Sequence, residues 1–143
     1  MSLFKTFDIA ASGVAAQSQR LNATASNLAN AESAAGPDAP AYRARQVVFQ
    51  TAPIAGAERA GAGGRETALG VRVKSLIEDT SAPRRVHDPK HPLADAAGYV
   101  TLPNVNVAEE MVNMLSASRS YQSNLEVMNT AKALMLKTLN LGN

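Results

Sequence analysis

Apolar residues near the start of the chain recur at Leu3, Phe7, Ala10, Val14, Leu21 and Leu28, separated mainly by small or polar positions. Phe7, Val14, Leu21 and Leu28 lie seven apart, and Ala10, Gln17, Thr24 and Ala31 form the alternate row. This spacing predicts a helix with a heptad seam whose second row is small or polar. Residues 1–33 contain no Pro and one Gly, so the whole segment reads as helix. At a rise of 1.5 Å per residue it would span about 45 Å. Alone in water such a helix is marginal, because helices take most of their stability from packing.

A second helical pattern fills residues 107–143, where the only Gly is the penultimate residue and Pro is absent. Asn106 is placed to cap it, with Glu109 three residues later as in a capping box. One apolar row runs through Met111, Met114, Leu115, Tyr121, Leu125, Met128, Met135 and Leu139; another takes in Val127, Ala131, Leu134 and Leu141. The last two turns are apolar round most of their circumference, a pattern that calls for burial on several sides. One N-terminal helix cannot cover both rows, so other chains are the expected cover. The methionines read as adaptable packing rather than as ligands.

Between these segments, residues 34–106 hold all seven prolines and seven of the nine glycines. Three strands are expected there, in Tyr42–Phe49, Gly70–Ile77 and Gly98–Leu102. Residues 52–67 lack periodicity and read as a flexible loop. Ser81–Pro92 has three prolines and should be extended and rigid for a loop. The fold class that follows is mainly α with a small β-rich middle. Its expected divisions are an N-terminal helical segment (1–33), a strand-and-loop middle (34–106) and a C-terminal helix (107–143) pairing with the first. Paired parallel or antiparallel, the helices would bury Phe7, Val14, Leu21 and Leu28 against Leu125, Met128, Met135 and Leu139.

Composition sharpens this picture. Of 143 residues 27 are Ala, while Phe and Tyr number three each, so a core built from them is thin and stability is expected to lean on partners. A net charge of +2 is too small to indicate nucleic acid, and in residues 34–106 nine basic residues are interspersed with seven acidic ones. The absence of Cys excludes disulfides, thiolate metal sites and a cysteine nucleophile. No apolar run approaches a membrane span. Lys5, Asp8, Ser12, Gln17 and Ser18 interrupt any secretory h-region. The plain expectation is a cytoplasmic protein; the other is export that leaves the N-terminus uncleaved.

Candidate chemistry is sparse. His87, Asp88 and His91 are the only constellation that suggests a metal, and Pro89 and Pro92 oppose the helix that two histidines four apart would need. Ser81 and Ser116 lack a nucleophile-elbow context, and Gly61–Gly64 is not followed by the Lys of a phosphate loop. No catalytic, cofactor or metal site is therefore expected. Asn22, Asn27, Asn30, Asn113, Asn124 and Asn129 are unusual in helices. Either they lie on solvated faces, or buried amides among them set the register of packed helices.

Phe7–Val14 (FDIAASGV), then Gln17, Arg20-Leu21-Asn22 and Asn27-Leu28-Ala29-Asn30, resemble the N-terminal signature of bacterial flagellar rod and hook axial proteins. Further stretches agree: Tyr42-Arg43 leading to Val47-Val48-Phe49, Glu78-Asp79 through Pro83-Arg84 to His91-Pro92, and Gly98-Tyr99-Val100 with Pro103–Asn106. The last runs into Glu109–Val112 and Ser116–Tyr121. The resemblance covers nearly the whole chain except 52–67 and is nearest to the proximal rod proteins. Ala31–Ala35 lacks the threonines common there, and Ala44 stands where a charged residue is commoner.

The resemblance implies a non-enzymatic building block. Its terminal helices would pair as a coiled-coil-like unit lining the inner tube, and the middle would form an outer appendage. Copies would stack helically with one another and with other rod proteins, between adaptors on the membrane-ring and export-gate side and the distal rod. They would be exported by the flagellar type III apparatus without a cleaved signal, cross the periplasm as the rod and transmit torque. No nucleic acid and no membrane insertion are implied. The expected assembly interface is Phe7, Val14, Leu21, Asn27, Leu28, Asn30, Met111, Met114, Tyr121, Leu125, Met128, Leu134, Met135 and Leu139. The alternative is a helical secretion chaperone or adaptor of the cytoplasm.

Overall fold

The computed structural model of the chain describes residues 3–36, 39–54 and 68–140. Among the described residues two long helices and four strands follow in chain order: α1 (Leu3–Ala29), β1 (Arg45–Pro53), β2 (Leu69–Glu78), β3 (Arg84–His87), β4 (Tyr99–Leu102) and α2 (Val107–Asn140). Strands β1 and β2 form one two-stranded sheet, and β3 and β4 another. Most of the expected flexible loop, 52–67, lies outside the described residues.

The helices form where Pro is absent, and side-chain amides mark their ends. At the end of α1 the Asn30 side-chain amide donates to the Ser26 carbonyl at 2.8 Å, beside the Asn30 N–H that already bonds it at 3.2 Å. The helix stops four residues short of the expected end at 33. At the start of α2 the Asn106 side-chain oxygen accepts from the backbone N–H groups of Ala108 (3.1 Å) and Glu109 (3.5 Å), as its spacing predicts. Glu109 and Glu110 then lie in the first turn, where the helix dipole favours negative charge.

The chain divides into two compact units, to both of which α1 and α2 contribute. One unit comprises residues 1–19, 48–75 and 116–143. Its buried side chains are small: Ala10, Ala16, Ala117 and Ala131. Gly13 of α1 sits so close to Asn124 of α2 that a Cβ there would lie 2.7 Å from the amide nitrogen. Leu3 and Thr6 share a groove with Ala131 and Leu134, so the two helices run antiparallel in this unit. The second sheet strand is fastened to α1 by Ser12. Its hydroxyl donates to the Ile9 carbonyl (2.7 Å) and accepts from the Val71 N–H (3.0 Å).

The other unit comprises residues 20–47 and 76–115. Ala31, Ala44 and Val105 form its apolar cluster, with Tyr42 packed against them. Contacts from Arg20 to Asn113 and from Asn27 to Glu110 make the helices antiparallel here also. Strand β3 pairs antiparallel with β4, Arg84 opposite Leu102 and His87 opposite Tyr99. The sequence pattern places a rigid loop over Ser81–Pro92, whereas four of those residues form a strand. Pro83 and Pro89 flank β3 without interrupting it, so no ladder donor is lost. Gly98 adopts φ 79°, a left-handed turn that returns the chain to β4.

Candidate assembly interface

Three asparagines organise the second unit. Asn27, 1% exposed, uses its full side-chain capacity. Its amide nitrogen donates to the Arg45 carbonyl (2.9 Å) and to Glu110 Oε2 (3.0 Å). Its oxygen accepts from the Arg45 N–H and from the Tyr42 hydroxyl, both at 2.9 Å. Glu110 is 7% exposed, and its charge is met by amide donors, Asn27 and more distantly Asn113 at 3.4 Å. Arg20 in turn donates to Asn113 Oδ1 at 3.3 Å. Asn104 gathers two further segments: it accepts from the Ala44 N–H (2.8 Å) and donates to the Asp79 carbonyl (3.1 Å) and the Ser81 hydroxyl (2.9 Å).

These bonds decide between the two readings of the helical asparagines, one residue at a time. Asn27 is buried and joins α1, α2 and β1; Asn30, Asn113 and Asn124 are half-buried; Asn22 and Asn129 are exposed. Sequence reasoning did not single out Asn104, Glu110 or Ser12 as organising residues. Asn104 lies between buried Pro103 and Val105, a setting in which an amide needs partners.

The expected interface residues separate by exposure. Phe7, Val14, Leu21 and Leu28 are half-buried, as are Met114, Tyr121, Met128 and Met135. Met111, Leu125, Leu134 and Leu139 are exposed, Leu139 at 69%. The row expected through Met111, Met114, Leu115, Tyr121, Leu125, Met128, Met135 and Leu139 therefore divides, Met111, Leu115, Leu125 and Leu139 being exposed and the others half-buried. Met111 and Leu125 each precede an inward residue, Met114 and Met128, by three positions, roughly 60° round the helix. On α1 the most buried positions are small or polar, Asn27, Ala16, Thr24 and Ala10, rather than those of the large row. Small side chains let backbones approach, and the larger ones straddle the contact. Leu125 and Leu139, expected to be buried against α1, remain exposed.

Open grooves adjoin α2 among the described residues. One, of about 430 Å³, is walled by Leu3 and Thr6 of α1 and by Glu126, Val127, Ala131 and Leu134 of α2. Another, of about 440 Å³, lies along Ala108, Glu109, Val112 and Asn113. Elsewhere His87 and His91 serve the β3–β4 connection. The His87 ring meets the Tyr99 ring edge-on at 5.0 Å, and His91 Nδ1 accepts from the Leu93 N–H at 3.1 Å. Among the described residues no helix is long and apolar enough to cross a membrane.

Two family models match the chain at its helical ends. One described as "Flagella basal body rod protein" covers residues 7–37, and one described as "Flagellar basal body rod FlgEFG protein C-terminal" covers residues 96–141. The flagellar basal-body rod protein FlgC of Yersinia enterocolitica is 58% identical over 142 residues, 99% of each chain. That of Salmonella typhimurium is 56% identical over the same length, again 99% of each. The chain belongs to the FlgC family of flagellar basal-body rod proteins. A more distant FlgC, from Buchnera aphidicola of Schizaphis graminum, is 42% identical over 144 residues, still 99% of each chain. Membership makes this FlgC-family chain a structural subunit of the basal-body rod that assembles with other axial proteins, and not an enzyme. The matched segments are those that carry α1 and the turn after it, and β4 with α2.

Proposed function

We propose that this chain is a building block of the proximal rod whose residues 1–33 and 107–143 pair as a coiled-coil-like unit, with residues 34–106 as an outer appendage. Its work is mechanical: stacked helically, copies transmit motor torque across the periplasm. The partners are further copies, other rod proteins including the distal rod, and adaptors on the membrane-ring and export-gate side. Delivery is by the flagellar type III export apparatus, the route that needs no cleaved signal.

The observation that supports this reading best is the two-sided α2. Its inward row is half-buried by the chain itself, while Met111, Leu125, Leu134 and Leu139 remain open to solvent. Met111 is continued on the helix surface by exposed Val112 and Leu115, and contiguous apolar surface of this kind marks a place of contact. Each of these side chains is already partly covered, so completing its burial adds on the order of 1 kcal/mol. That is far below the roughly 4–15 kcal/mol that association costs. Several interfaces engaged at once are therefore needed, which a helical array of head-to-tail contacts supplies. The interface comprises these residues together with Phe7, Val14, Leu21, Leu28, Met114, Tyr121, Met128 and Met135, while Asn27 and Asn30 hold its geometry.

The test is Leu139→Asp. Because Leu139 is exposed in the subunit, the purified variant should keep its helicity and melting curve. It should nevertheless be missing from isolated basal bodies, and the cells should not swim. Normal swimming with this variant would show that Leu139 is not buried in the rod.

A further inference from the structure

The groove between the start of α1 and the last third of α2 has a matching projection on the same chain. Its apolar wall is Leu3, Val127, Ala131 and Leu134, and Glu126 stands at its margin. One residue beyond Leu3, about 100° further round the helix, Phe4 projects away with 71% of its surface exposed. Lys5 follows it and is also exposed. Thus an apolar groove with an acidic margin and an aromatic knob with a basic neighbour occupy different faces of one unit.

We infer that the Phe4 ring of one copy seats in the Leu3–Val127–Leu134 groove of a second copy, with Lys5 of the first meeting Glu126 of the second. The inference rests on the reading of the chain as a self-stacking rod subunit, and it assigns that contact to named residues. Space permits it: a cavity of roughly 150 Å³ takes a benzene ring, and this groove offers about 430 Å³. Charge favours it, because knob and groove carry opposite signs side by side. Among the described residues neither Lys5 nor Glu126 forms an ion pair within its own chain. Geometry makes it propagate. Since knob and groove are different surfaces, each copy gives one and receives one, so the contact is heterologous and extends to the next copy.

The chain has no cysteine, so a cross-linking reporter can be placed without background. Two differently tagged copies, one Lys5→Cys and one Glu126→Cys, are expressed together. Isolated basal bodies are then treated with a bismaleimide whose reach matches a Lys–Glu pair, a span too long for a disulfide. A linked dimer carrying both tags is expected, with Phe4 intact in each. Lys5→Cys linking to itself, Glu126→Cys linking to a chain of another mass, or no link between incorporated copies would each overturn the inference. If neither tagged copy is found in basal bodies while both purified variants fold, the rod reading fails and the inference falls with it. Charge reversal gives an independent measure. Lys5→Glu and Glu126→Lys should each cut incorporation tenfold or more, and the two together should restore it to within twofold. Failure of the pair to restore it would also overturn the contact, since each single variant would then act for another reason.

Discussion

The Asn27 side chain binds the backbone of Arg45 at both its N–H and its carbonyl, each at 2.9 Å, as a neighbouring strand would. Strand β1 thus begins against the side of α1, on a side chain that imitates a peptide group. The same amide reaches Glu110 of α2, so one residue joins three elements. Asn27→Ala would leave the Arg45 N–H and the Glu110 carboxylate short of partners in a buried site. Its cost should be about 3 kcal/mol or more, measured by urea unfolding. Asn27→Asp, close in shape, should be similarly harmful, because it sets a second carboxylate where a donor faced Glu110. Adding Glu110→Gln should recover part of that loss, with a coupling of about 1–3 kcal/mol between the two sites.

Acid should act on the β3–β4 hairpin through Asp95. A hydrogen bond from the Tyr99 N–H, supplemented by the Ala97 N–H and the Arg85 guanidinium, holds this carboxyl below the usual aspartate range. A depressed folded-state pKa means that the charged form favours the fold. The contribution is complete above the ordinary aspartate value and is lost as the pH falls through the lower, folded-state one. Asp95→Asn should therefore differ most from the parent near neutrality, and the difference should shrink in acid. A series of unfolding curves, or the Tyr99 amide resonance followed through the acid range, measures this. A constant difference at every pH would show that Asp95 acts by geometry alone.

Both helices were legible because the chain confines its prolines to residues 34–106, and the cap at Asn106 stood out by its spacing from Glu109. Strand β3 was not, since all four of Arg84–His87 are exposed and no alternation of burial marks them. Nor could the role of Asn27 be read locally, because its partners lie 18 and 83 residues away. A heptad pattern shows that two rows exist without saying which turns inward. On α1 hydrophobicity pointed to the Phe7 row, whereas burial falls on small positions such as Ala10, Ala16 and Thr24, where backbones can approach closely. The apolar flank of α2 was visible as excess hydrophobicity, and the structure separates its inward residues from its outward ones.

Gly70 is required by what stands opposite it. A Cβ there would lie 2.6 Å from Ser12 Oγ and 3.3 Å from Ile54 Cγ1. Ser12 cannot yield without losing its bonds to the Ile9 carbonyl and the Val71 N–H. Gly70→Ala should therefore cost about 1–3 kcal/mol by overpacking and loosen β2 from α1. Ser12→Ala removes the closest atom, so the double variant should be less damaged than the sum of the singles. Thermal melts of the four proteins complete the cycle, and strict additivity would mean that the two residues do not meet.

Gly13 presents the opposite case, although its contact is almost as short. An added Cβ would meet Asn124 at 2.7 Å from the amide nitrogen and 3.0 Å from Cγ, both on a short polar side chain that can turn away. Against that displacement stands the helix propensity of alanine, which exceeds that of glycine by about 1 kcal/mol in a helix interior. Gly13→Ala alone should accordingly change stability little, the two effects offsetting. With Asn124→Ala in place the obstruction is gone, and the same substitution should stabilise by about 0.5–1 kcal/mol, measured against the Asn124→Ala background. If alanine at 13 fails to stabilise even there, then Gly13 is required by its backbone rather than by Asn124. In rods, the tighter spacing that glycine permits should appear as loss of incorporation by Gly13→Leu, whose side chain no rotation of Asn124 can admit.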